Sequence, residues 1–465
     1  FHATVQKRQQ VRDRRAASEE FAAEARAAGA LVAFEDEAVG VLAAEAGGSF
    51  DLCIASPGIS QFSAFYEAAA AVSAEVISEV EFAWRESAAD SRWVAVTGTN
   101  GKTTACALAA HVLAGAGLAA AAVGNIGDPC IEAVAAGRTD VYVAEVSSYQ
   151  LASTARFAPN VAVLLNITPD HLHWHRSFEA YRDAKLKLLA NLPGVPGAVA
   201  VLDATNDVVR AEVRRLRALD AGERGFSYVP LGTAAGLTGD MRAACGSDNA
   251  AFLDADGTLR VALNGAEHAA ARVEELQIKG EHNASNALAV AAAALALGVH
   301  ESDVAEGLRT FAPLEHRIEP CGSVAGVRCY NDSKATNVDA TLKALAAFPE
   351  TRPVVLLGGD DKGTDLAPLV EAAHAHAGAV VCFGDAGERL AAAFEAADAQ
   401  APAGFAAARA AHLADAFDAA LALASAGDVV LLSPACASFD EFGSFEERGA
   451  AFKTLVADAA SALGA

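Results

Sequence analysis

The sequence predicts an α/β protein of three domains, and three observations support this. The chain has 465 residues, whereas a single domain usually holds about 100–200 residues. From Trp93 onward, short apolar runs alternate with alanine-rich segments of helical periodicity, which is typical of parallel strands covered by helices. Hydrophobic residues make up 53% of the chain and charged residues 20%, as in a globular protein. We expect domains at residues 1–88, 89–313 and 314–465.

The first predicted domain contains a helix and two short strands. The helix is expected from Ser18 to Ala28, and the apolar runs Leu31–Phe34 and Leu52–Ala55 predict strands. The second run leads into Ser56-Pro57-Gly58, a sequence that favours a turn. Ser56 is therefore expected at the end of a strand.

The second predicted domain shows the pattern of a mostly parallel sheet. Strands are predicted at Arg92–Val96, Val141–Val146 and Val161–Asn166, and helices at Lys102–Ala114 and Asn283–Leu297. The stretch Asp203–Arg272 is less regular, and we expect a smaller antiparallel part there.

The third predicted domain is a Rossmann-like α/β unit. Polar or glycine-rich turns and then a helix follow each of its predicted strands, Val327–Asn331, Val354–Leu357, Ala379–Phe383 and Val429–Leu432.

Charge and composition exclude several classes of protein. The net charge of −24 disfavours nucleic-acid binding through the general surface, because phosphates would be repelled. The longest stretch without Asp, Glu, Lys or Arg, Thr103–Gly127, contains His111, four glycines and Asn125, so it is a poor membrane span. Eight scattered cysteines without a C-x-x-C pair are typical of reduced thiols, so we expect a cytoplasmic protein.

The residues that follow Arg92–Val96 have the pattern of a phosphate-binding loop. The sequence V-A-V-T-G-T-N-G-K-T-T runs from a strand through a loop into a helix, where backbone N–H groups and the helix N-terminus favour an anion. Lys102 supplies a cation for the β- and γ-phosphates, and Thr103 a hydroxyl for Mg²⁺. Val96 stands where the general pattern has its first glycine, so a tight turn before an ordinary helix is the alternative. The predicted ATP loop comprises Gly98, Thr99, Asn100, Gly101, Lys102, Thr103 and Thr104.

An acid and a lysine downstream are candidates for a metal site. Glu145 ends a predicted strand in V-A-E-V-S-S-Y-Q, where α/β sheets place their ligands, and carboxylate oxygen suits Mg²⁺. A solvated acid at a strand end is the alternative. Lys185 lies in Y-R-D-A-K-L-K, and from the residues alone a solvated helix lysine is the commoner outcome.

Three histidines alternate in the segment N-I-T-P-D-H-L-H-W-H. On a strand His171, His173 and His175 would share one face, which leaves a zinc hydrolase open as an alternative. The apolar strand before T-P-D-H argues against such a site, and the resemblance of this segment to a known family implies instead that His171 lies at the active site and that Asp170 orients it. We expect His173 and His175 to be surface or structural residues.

Five further motifs follow between residues 280 and 449. They are G-E-H-N-A-S-N at 280–286, L-E-H-R-I-E at 314–319, Y-N-D-S-K-A-T-N at 330–337, L-L-G-G-D-D-K at 356–362 and L-S-P-A-C-A-S-F-D-E-F-G-S-F-E-E-R-G at 432–449. Structural explanations exist for several of their residues. Asn283, Asp332 and Ser333 can cap helices, and Phe445 can pack in a core.

Together these segments resemble the Mur ligase family, from about Ser56 to Lys453. The loop T-G-T-N-G-K-T, the stretch E-x-S-S-Y-Q and the motif N-I-T-x-D-H are similar to those of the whole family. The segments D-S-K-A-T-N and S-P-A-C-A-S resemble the branch that adds D-glutamate. The family architecture implies an N-terminal Rossmann-like domain for a nucleotide sugar, a central P-loop-type ATPase domain and a C-terminal Rossmann-like domain for the amino acid. The glycine-rich turn that opens relatives is missing from Phe1–Ala30, which suggests a truncated first domain.

The resemblance also implies roles for individual residues. Lys102, His171 and Lys185 are expected to be catalytic, and Lys185 to be a carbamylated ligand of a second Mg²⁺, with Lys187 the competing register. The implied ligands of two Mg²⁺ ions are Thr103, Glu145, His171 and Lys185. Residues implied to bind ATP outside the loop are Asn283, Asn286, Arg317 and Asp332. Residues implied to bind the other substrates are Ser56, Asn125, Lys334, Thr336, Lys362, Ser438 and Phe445.

The implied activity is ATP-dependent amide-bond formation in peptidoglycan synthesis. The expected substrates are ATP, D-glutamate and UDP-N-acetylmuramoyl-L-alanine, and we expect a monomer without nucleic-acid or membrane partners. The alternatives are another family member such as a folylpolyglutamate synthase and a non-catalytic nucleotide-binding relative.

Overall fold

The strands that the structure describes form three sheets, of two, nine and six strands. The structure is a computed structural model that describes residues 22–34, 38–45, 47–126, 128–233, 247–360, 363–397, 401–402 and 404–464. Most neighbouring strands in the two larger sheets are parallel, and helices separate them along the chain. The predicted mixed α/β fold class is therefore confirmed.

The described N-terminal region forms the smallest sheet. A helix covers residues 22–27 of the predicted Ser18–Ala28. The elements that follow are α1 (Ala38–Glu45), β1 (Cys53–Ala55), α2 (Ala64–Ala71), β2 (Val76–Ser78) and α3 (Glu79–Glu86), and β1 pairs with β2 in parallel. The prediction of a strand at Leu31–Phe34 was wrong. Its apolar side chains are not buried against a sheet, since Leu31 is 64% and Phe34 51% exposed.

The nine-stranded sheet contains the elements predicted for the central part of the chain. Its strands are β3 (Arg92–Thr97), β4 (Ala120–Gly124), β5 (Val141–Glu145), β6 (Val161–Leu164), β7 (Val199–Asp203), β8 (Ser227–Gly232), β9 (Ala250–Leu253), β10 (Thr258–Leu263) and β11 (Ala266–Arg272). Their order is β11-β10-β9-β8-β7-β6-β3-β5-β4. From β9 to β4 in this order, each strand is parallel to the next, and this part of the sheet includes β3. Strand β10 is antiparallel to both of its neighbours. The antiparallel part expected within Asp203–Arg272 is confirmed.

Helices cover both faces of this sheet, and its strands are therefore buried on both sides. They are α4 (Lys102–Gly115), α5 (Cys130–Ala136), α6 (Ser148–Ala152), α7 (Leu172–His175), α8 (Phe178–Leu186), α9 (Asp207–Ala218), α10 (Ala221–Arg224), α11 (Glu281–Ala296) and α12 (Glu301–Thr310), with short 3₁₀ turns at Lys187–Leu189, Leu192–Gly194 and Val273–Glu275. The alanine-rich α4 and α11 pack in one core with alternate residues of β3, β5 and β6. Small side chains allow these helices to lie close to the sheet and to each other.

The six-stranded sheet lies in the last third of the chain. Its strands are β12 (Glu319–Val324), β13 (Val327–Asn331), β14 (Val354–Gly358), β15 (Ala379–Phe383), β16 (Ala406–Arg409) and β17 (Val429–Ala435), in the order β12-β13-β17-β14-β15-β16. Only β12 runs antiparallel to its neighbour. The helices are α13 (Val338–Ala346), α14 (Ala367–His376), α15 (Gly387–Ala396), α16 (Leu413–Leu423) and α17 (Phe445–Gly464).

Each sheet lies within one of the ranges 1–88, 89–313 and 314–465, which we keep as proposed domain boundaries. None of the described helices combines the length and the apolar character that a bilayer span requires.

Candidate active site

Most of the site residues predicted from the sequence line one cleft. The parallel strands of the nine-stranded sheet end at this cleft, as α/β sheets position ligand sites, and residues that follow β13 line its other side. Its volume is about 660 Å³. The predicted site residues in its wall are Thr99, Asn100, Gly101, Lys102, Thr103, Thr104, Asn125, Glu145, His171, Asn283, Asn286, Arg317, Asp332, Lys334 and Thr336.

The other predicted residues that the structure describes do not line this cleft. Gly98, Lys185, Ser56, Ser438 and Phe445 lie outside its wall, and Lys362 falls outside the described residues.

The phosphate loop is fixed by hydrogen bonds to the strand-end loop after β6. Asn166 accepts a hydrogen bond from the Asn100 backbone N–H at 2.8 Å and donates to the Asn100 carbonyl at 3.1 Å. The Thr99 hydroxyl lies 2.8 Å from the Tyr181 hydroxyl and donates to the Thr168 carbonyl at 3.1 Å. Sequence reasoning did not assign Asn166 a role, although its place at a strand end inside N-I-T-P-D-H was a usable signal.

Gly101 is required by the loop's backbone. Its φ of +87° lies in the left-handed region, and a Cβ at this position would stand 2.7 Å from Asn286 Oδ1. Both the backbone conformation and the neighbouring amide therefore exclude a side chain here.

We expect Gly101→Ala to distort the loop and to weaken ATP binding by at least about tenfold, with a loss of about 1–3 kcal/mol in unfolding free energy. Gly115, at the other end of the same helix, has open space around its Cα. Gly115→Ala is the matched control and should keep both properties close to wild type. Calorimetric titration with an ATP analogue and urea unfolding measure the two effects; equal behaviour of the two variants would contradict this account.

Lys102 lies among charges from several elements. Its ammonium donates to the Thr99 carbonyl at 2.9 Å, at the start of α4. Burial lowers its pKa, the carboxylates of Glu145 and Asp170 act to raise it, and Arg317 lowers it further. Arg317 comes from the segment after α12, so residues far apart in sequence share one electrostatic environment.

Glu145 is one of the acids that line the cleft. It is the last residue of β5 and only 2% exposed. Its Oε1 accepts from the Asn125 side chain at 2.8 Å, whereas its buried Oε2 has no hydrogen-bond partner. A buried carboxylate oxygen without a donor is costly unless a cation compensates it, so this group fits a Mg²⁺ ligand.

His171 lies in the left-handed region, with φ of 53°, at the start of α7. Its Nε2 is 3.5 Å from Asp170 Oδ2, and its backbone N–H donates to Asp170 Oδ1 at 2.8 Å. The contact expected between these two residues is therefore present. The histidines do not share the face of a strand, because Leu172–His175 is helical.

The other two histidines of this segment have separate environments. His173 is exposed. His175 is buried among aromatic rings, its Nε2 is 2.9 Å from the Ser148 hydroxyl, and burial lowers its pKa to about 4.

Lys185 lies behind the phosphate loop rather than in the cleft wall. Its Nζ donates to the Gly98 carbonyl at 2.7 Å and contacts Thr97 Oγ1 at 3.4 Å. Burial first, and then the nearby Lys102 charge, lower its pKa well below the usual value. The alternative of a solvated helix lysine is excluded, since the residue is 2% exposed.

Polar side chains continue the cleft wall along α11. Asn286 donates to Asn283 Oδ1 at 3.1 Å, and Asn283 in turn donates to the Lys279 carbonyl at 2.8 Å. Asp203, at the end of β7, accepts from the Ser285 hydroxyl at 2.7 Å, and burial raises its pKa. The sequence analysis assigned no role to Asp203, or to Ser285 within G-E-H-N-A-S-N, because only the fold brings β7 next to α11.

Residues after β13 form the opposite wall. Asp332 accepts from the Ser433 hydroxyl at 2.7 Å and from the Ile318 N–H at 3.2 Å, and burial raises its pKa to about 7. The Lys334 ammonium lies 3.7 Å from the centre of the Phe445 ring, and burial lowers its pKa to about 8. Phe445 is thus in direct contact with a residue of the cleft wall.

Ser438 is buried beside the segment that leads to Lys362. Its neighbour Ala437 exchanges two backbone hydrogen bonds with Asp360, at 2.9 and 3.1 Å. Arg448 holds this region together, since its buried guanidinium donates to the carbonyls of Cys436 and Ala437. Arg448 lies within the motif at 432–449 but was not predicted to be a structural residue, because arginine is rarely fully buried.

Ser56 lies after β1 on an exposed turn, where its carbonyl accepts from the Ile59 N–H at 3.0 Å. Four residues later, the Ser60 hydroxyl donates to the Trp174 carbonyl at 2.9 Å. The N-terminal region therefore contacts the helix that His171 begins.

Two family models match the chain. The "Mur ligase middle domain" matches residues 96–294, and the "Mur ligase, glutamate ligase domain" matches residues 316–436. The UDP-N-acetylmuramoylalanine–D-glutamate ligase of Alkaliphilus metalliredigens is 38% identical over 411 residues, which cover 88% of this chain and 84% of that protein. The chain belongs to the Mur ligase family. It is therefore a ligase of the class that forms amide bonds with ATP.

Solved structures of MurF and of a folylpolyglutamate synthase share the fold. MurF from Acinetobacter baumannii has a TM-score of 0.57 at 18% identity, over 88% of this chain and 90% of its own. The Mycobacterium tuberculosis folylpolyglutamate synthase complexed with ADP has a TM-score of 0.56 at 17% identity, over 81% of this chain and 93% of its own.

Proposed function

We propose that this Mur ligase joins D-glutamate to UDP-N-acetylmuramoyl-L-alanine, with ATP converted to ADP and phosphate. The observation that carries the proposal is the single cleft in which the phosphate loop, Glu145 and His171 face Arg317, Asp332 and Lys334. The relative from Alkaliphilus metalliredigens bears the name of this activity, and its similarity extends over most of the chain.

The residues present fit Mg²⁺. The unpartnered Oε2 of Glu145, the Thr103 hydroxyl and His171 offer ligand atoms in the cleft wall. We propose that these residues hold the metal, whose charge would offset that of the ATP phosphates.

Lys185 is suited to carbamylation in one respect. A carbamate forms on a neutral amine, and burial of Lys185 lowers its pKa strongly. As a carbamate it would supply the anionic oxygens for a second Mg²⁺, and its Nζ would have to exchange the contact with the Gly98 carbonyl for that role. We keep the carbamate as a proposal.

The proposed reaction has two steps. The alanyl carboxylate attacks the γ-phosphorus of ATP, the bond to the β-phosphate oxygen breaks, and ADP leaves. The amine of D-glutamate then attacks the acyl carbon, phosphate leaves with the bonding electron pair, and the amine loses a proton. Lys102 and the N-terminus of α4 stabilise the charge on the phosphates, and closure of the cleft would exclude water from the acyl phosphate.

Each substrate is assigned to particular residues. We propose that Asn283, Asn286, Arg317 and Asp332 bind ATP, and that Ser56 and Asn125 contact the nucleotide sugar. Lys334, Thr336, Lys362, Ser438 and Phe445 are proposed to bind D-glutamate and the acceptor carboxylate. We propose that the protein acts in the cytoplasm as a monomer.

Two alternatives are less well supported. The likeness to a folylpolyglutamate synthase concerns the fold alone, at 17% identity. For a zinc hydrolase, the three alternating histidines would have to converge. In the part of the chain that the structure describes, the only set of three or more His, Cys, Asp or Glu side chains with ligand atoms within 4.8 Å of one another is Glu315, His316 and Glu319, whose two carboxylates already pair with Lys453.

A phosphate-release assay tests the proposal. With ATP, Mg²⁺ and UDP-N-acetylmuramoyl-L-alanine, we expect D-glutamate to stimulate release at least about a hundredfold more than L-lysine or L-alanine, because binding groups left unpaired by a wrong substrate cost several kcal/mol. Mass spectrometry should show the amide product. Equal stimulation by L-lysine would reject the assignment of D-glutamate, and ATP binding without any product would favour a non-catalytic relative.

A further inference from the structure

The cleft contains a group of charges that the proposed function does not use. The pKa of Lys102 responds to Glu145, Asp170 and Arg317. Lys343 and Asp339 act, together with Arg317, on His282, whose pKa falls to about 4 through burial and then through Lys343. No motif pointed to Asp339 or Lys343, and both line the cleft.

Helix α13 brings this group to the phosphate loop. Asn337 caps the helix by accepting from the Ala340 N–H at 2.9 Å, which sets Asp339 in its first turn. The Asp339 carboxylate accepts a hydrogen bond from the Asn100 side chain, in the phosphate loop. The same carboxylate oxygen accepts from Lys343, one turn later, at 3.0 Å.

A second contact lies at the far end of the helix. A Cβ on Gly280, which begins α11, would stand 3.1 Å from the Ala347 side chain. Both ends of helix α13 therefore lie against residues of the range 89–313. The end with Asp339 is the one that forms a hydrogen bond with the phosphate loop.

We propose that Asp339 is a positioning residue for ATP binding, because its hydrogen bond to Asn100 and its ion pair with Lys343 dock the C-terminal unit on the phosphate loop. The Asn100 side chain is fixed by Asp339, and the walls that carry Arg317 and Asp332 are held at the distance that the nucleotide requires. The inference rests on the proposed use of this loop for ATP.

The physical basis is that the hydrogen bond between Asn100 and the Asp339 carboxylate is charge-assisted and partly shielded from solvent. The Asp339 and Lys343 side chains are only 36% and 30% exposed, and Lys343 compensates the acid's charge close to the anionic substrate. Loss of a hydrogen bond to a charged group corresponds to about a tenfold change in affinity.

A matched control exists in helix α9. There Asp207 also follows an asparagine cap and pairs with a basic residue, Arg210, one turn later, but its side chain is 86% exposed and outside the cleft wall. Asp207→Ala removes the same favourable interaction with the helix N-terminus that Asp339→Ala removes.

A double-mutant cycle tests the inference by calorimetric titration with a non-hydrolysable ATP analogue. We expect Asp339→Ala to weaken binding about tenfold, Asp207→Ala to leave it unchanged, and Asp339→Asn, which keeps an acceptor, to fall between them. Adding Asp339→Ala to Asn100→Ala should cost little more than Asn100→Ala alone. Thermal unfolding of each variant checks that it is folded.

The outcomes separate this inference from the proposed function. Effects of the two substitutions that simply multiply would overturn the inference while leaving the ligase proposal intact, as would equal affinities of Asp339→Ala and wild type. A wild-type chain that bound no analogue would overturn both.

Discussion

Lys102→Ala should abolish ATP-dependent phosphate release, lowering kcat/KM by about 10³-fold or more, or about 4 kcal/mol of transition-state stabilisation. The reason is that Lys102 lies in the cleft wall, at the N-terminus of α4, where the phosphates of ATP would gather negative charge. Steady-state assays with all three substrates measure the effect. Lys102→Arg, which keeps a cation of different shape, should recover only part of the rate.

The matched control for Lys102 is a lysine in the range 314–465, outside the range that contains the phosphate loop. Lys453 pairs with Glu315 and Glu319 and does not line the cleft. Lys453→Ala should retain nearly full activity. If Lys102→Ala retained activity as well, the loop would not be the ATP site.

Glu145→Gln should lower kcat by about 10²–10³-fold and shift the Mg²⁺ dependence to higher concentration. Glutamine has nearly the same size and can still accept from Asn125, but it removes the charge of the buried, unpartnered Oε2 that fits a metal. A titration of activity with Mg²⁺ separates the loss of metal affinity from the loss of rate.

Glu132, exposed on nearby α5, provides the comparison for this change. Glu132→Gln should have the wild-type Mg²⁺ dependence. An unchanged Mg²⁺ curve for Glu145→Gln would show that Glu145 acts without a metal, and its orphaned oxygen would then need another explanation. Unfolding curves for both variants exclude a loss of folded protein as the cause.

The sequence predicted the elements of the fold well where local signals agreed. Val327–Asn331 and Ala379–Phe383 are strands with the predicted bounds. Ala379–Phe383 is a short apolar run between two glycines, and Val327–Asn331 alternates buried residues with less buried ones. Leu31–Phe34 is also a short apolar run and is not a strand. An apolar run becomes a strand only when a neighbouring strand supplies hydrogen bonds, and local composition does not report that neighbour.

The candidate site, too, could be predicted from the sequence only in part. Lys102, Glu145 and His171 could be named from the sequence, because phosphate and metal binding demand particular residue types directly after apolar strands. Their convergence in one cleft follows from the parallel order of β3, β5 and β6, whose ends meet at one edge. The burial of Lys185 against Gly98 could not be predicted, since solvent exposure of a helix lysine depends on what packs over it.

The sequence by itself determined the fold class, the phosphate loop and the resemblance to the Mur ligases, because these depend on periodicity and on residue types at fixed spacing. Only the tertiary structure decided that Asn166 holds the loop, that Asp203 meets Ser285 and that Asp339 reaches Asn100. Each of these contacts joins residues at least 60 positions apart, and the physical reason is that such pairs form only once sheets and helices have packed. No local pattern records which distant side chain will complete a buried hydrogen bond.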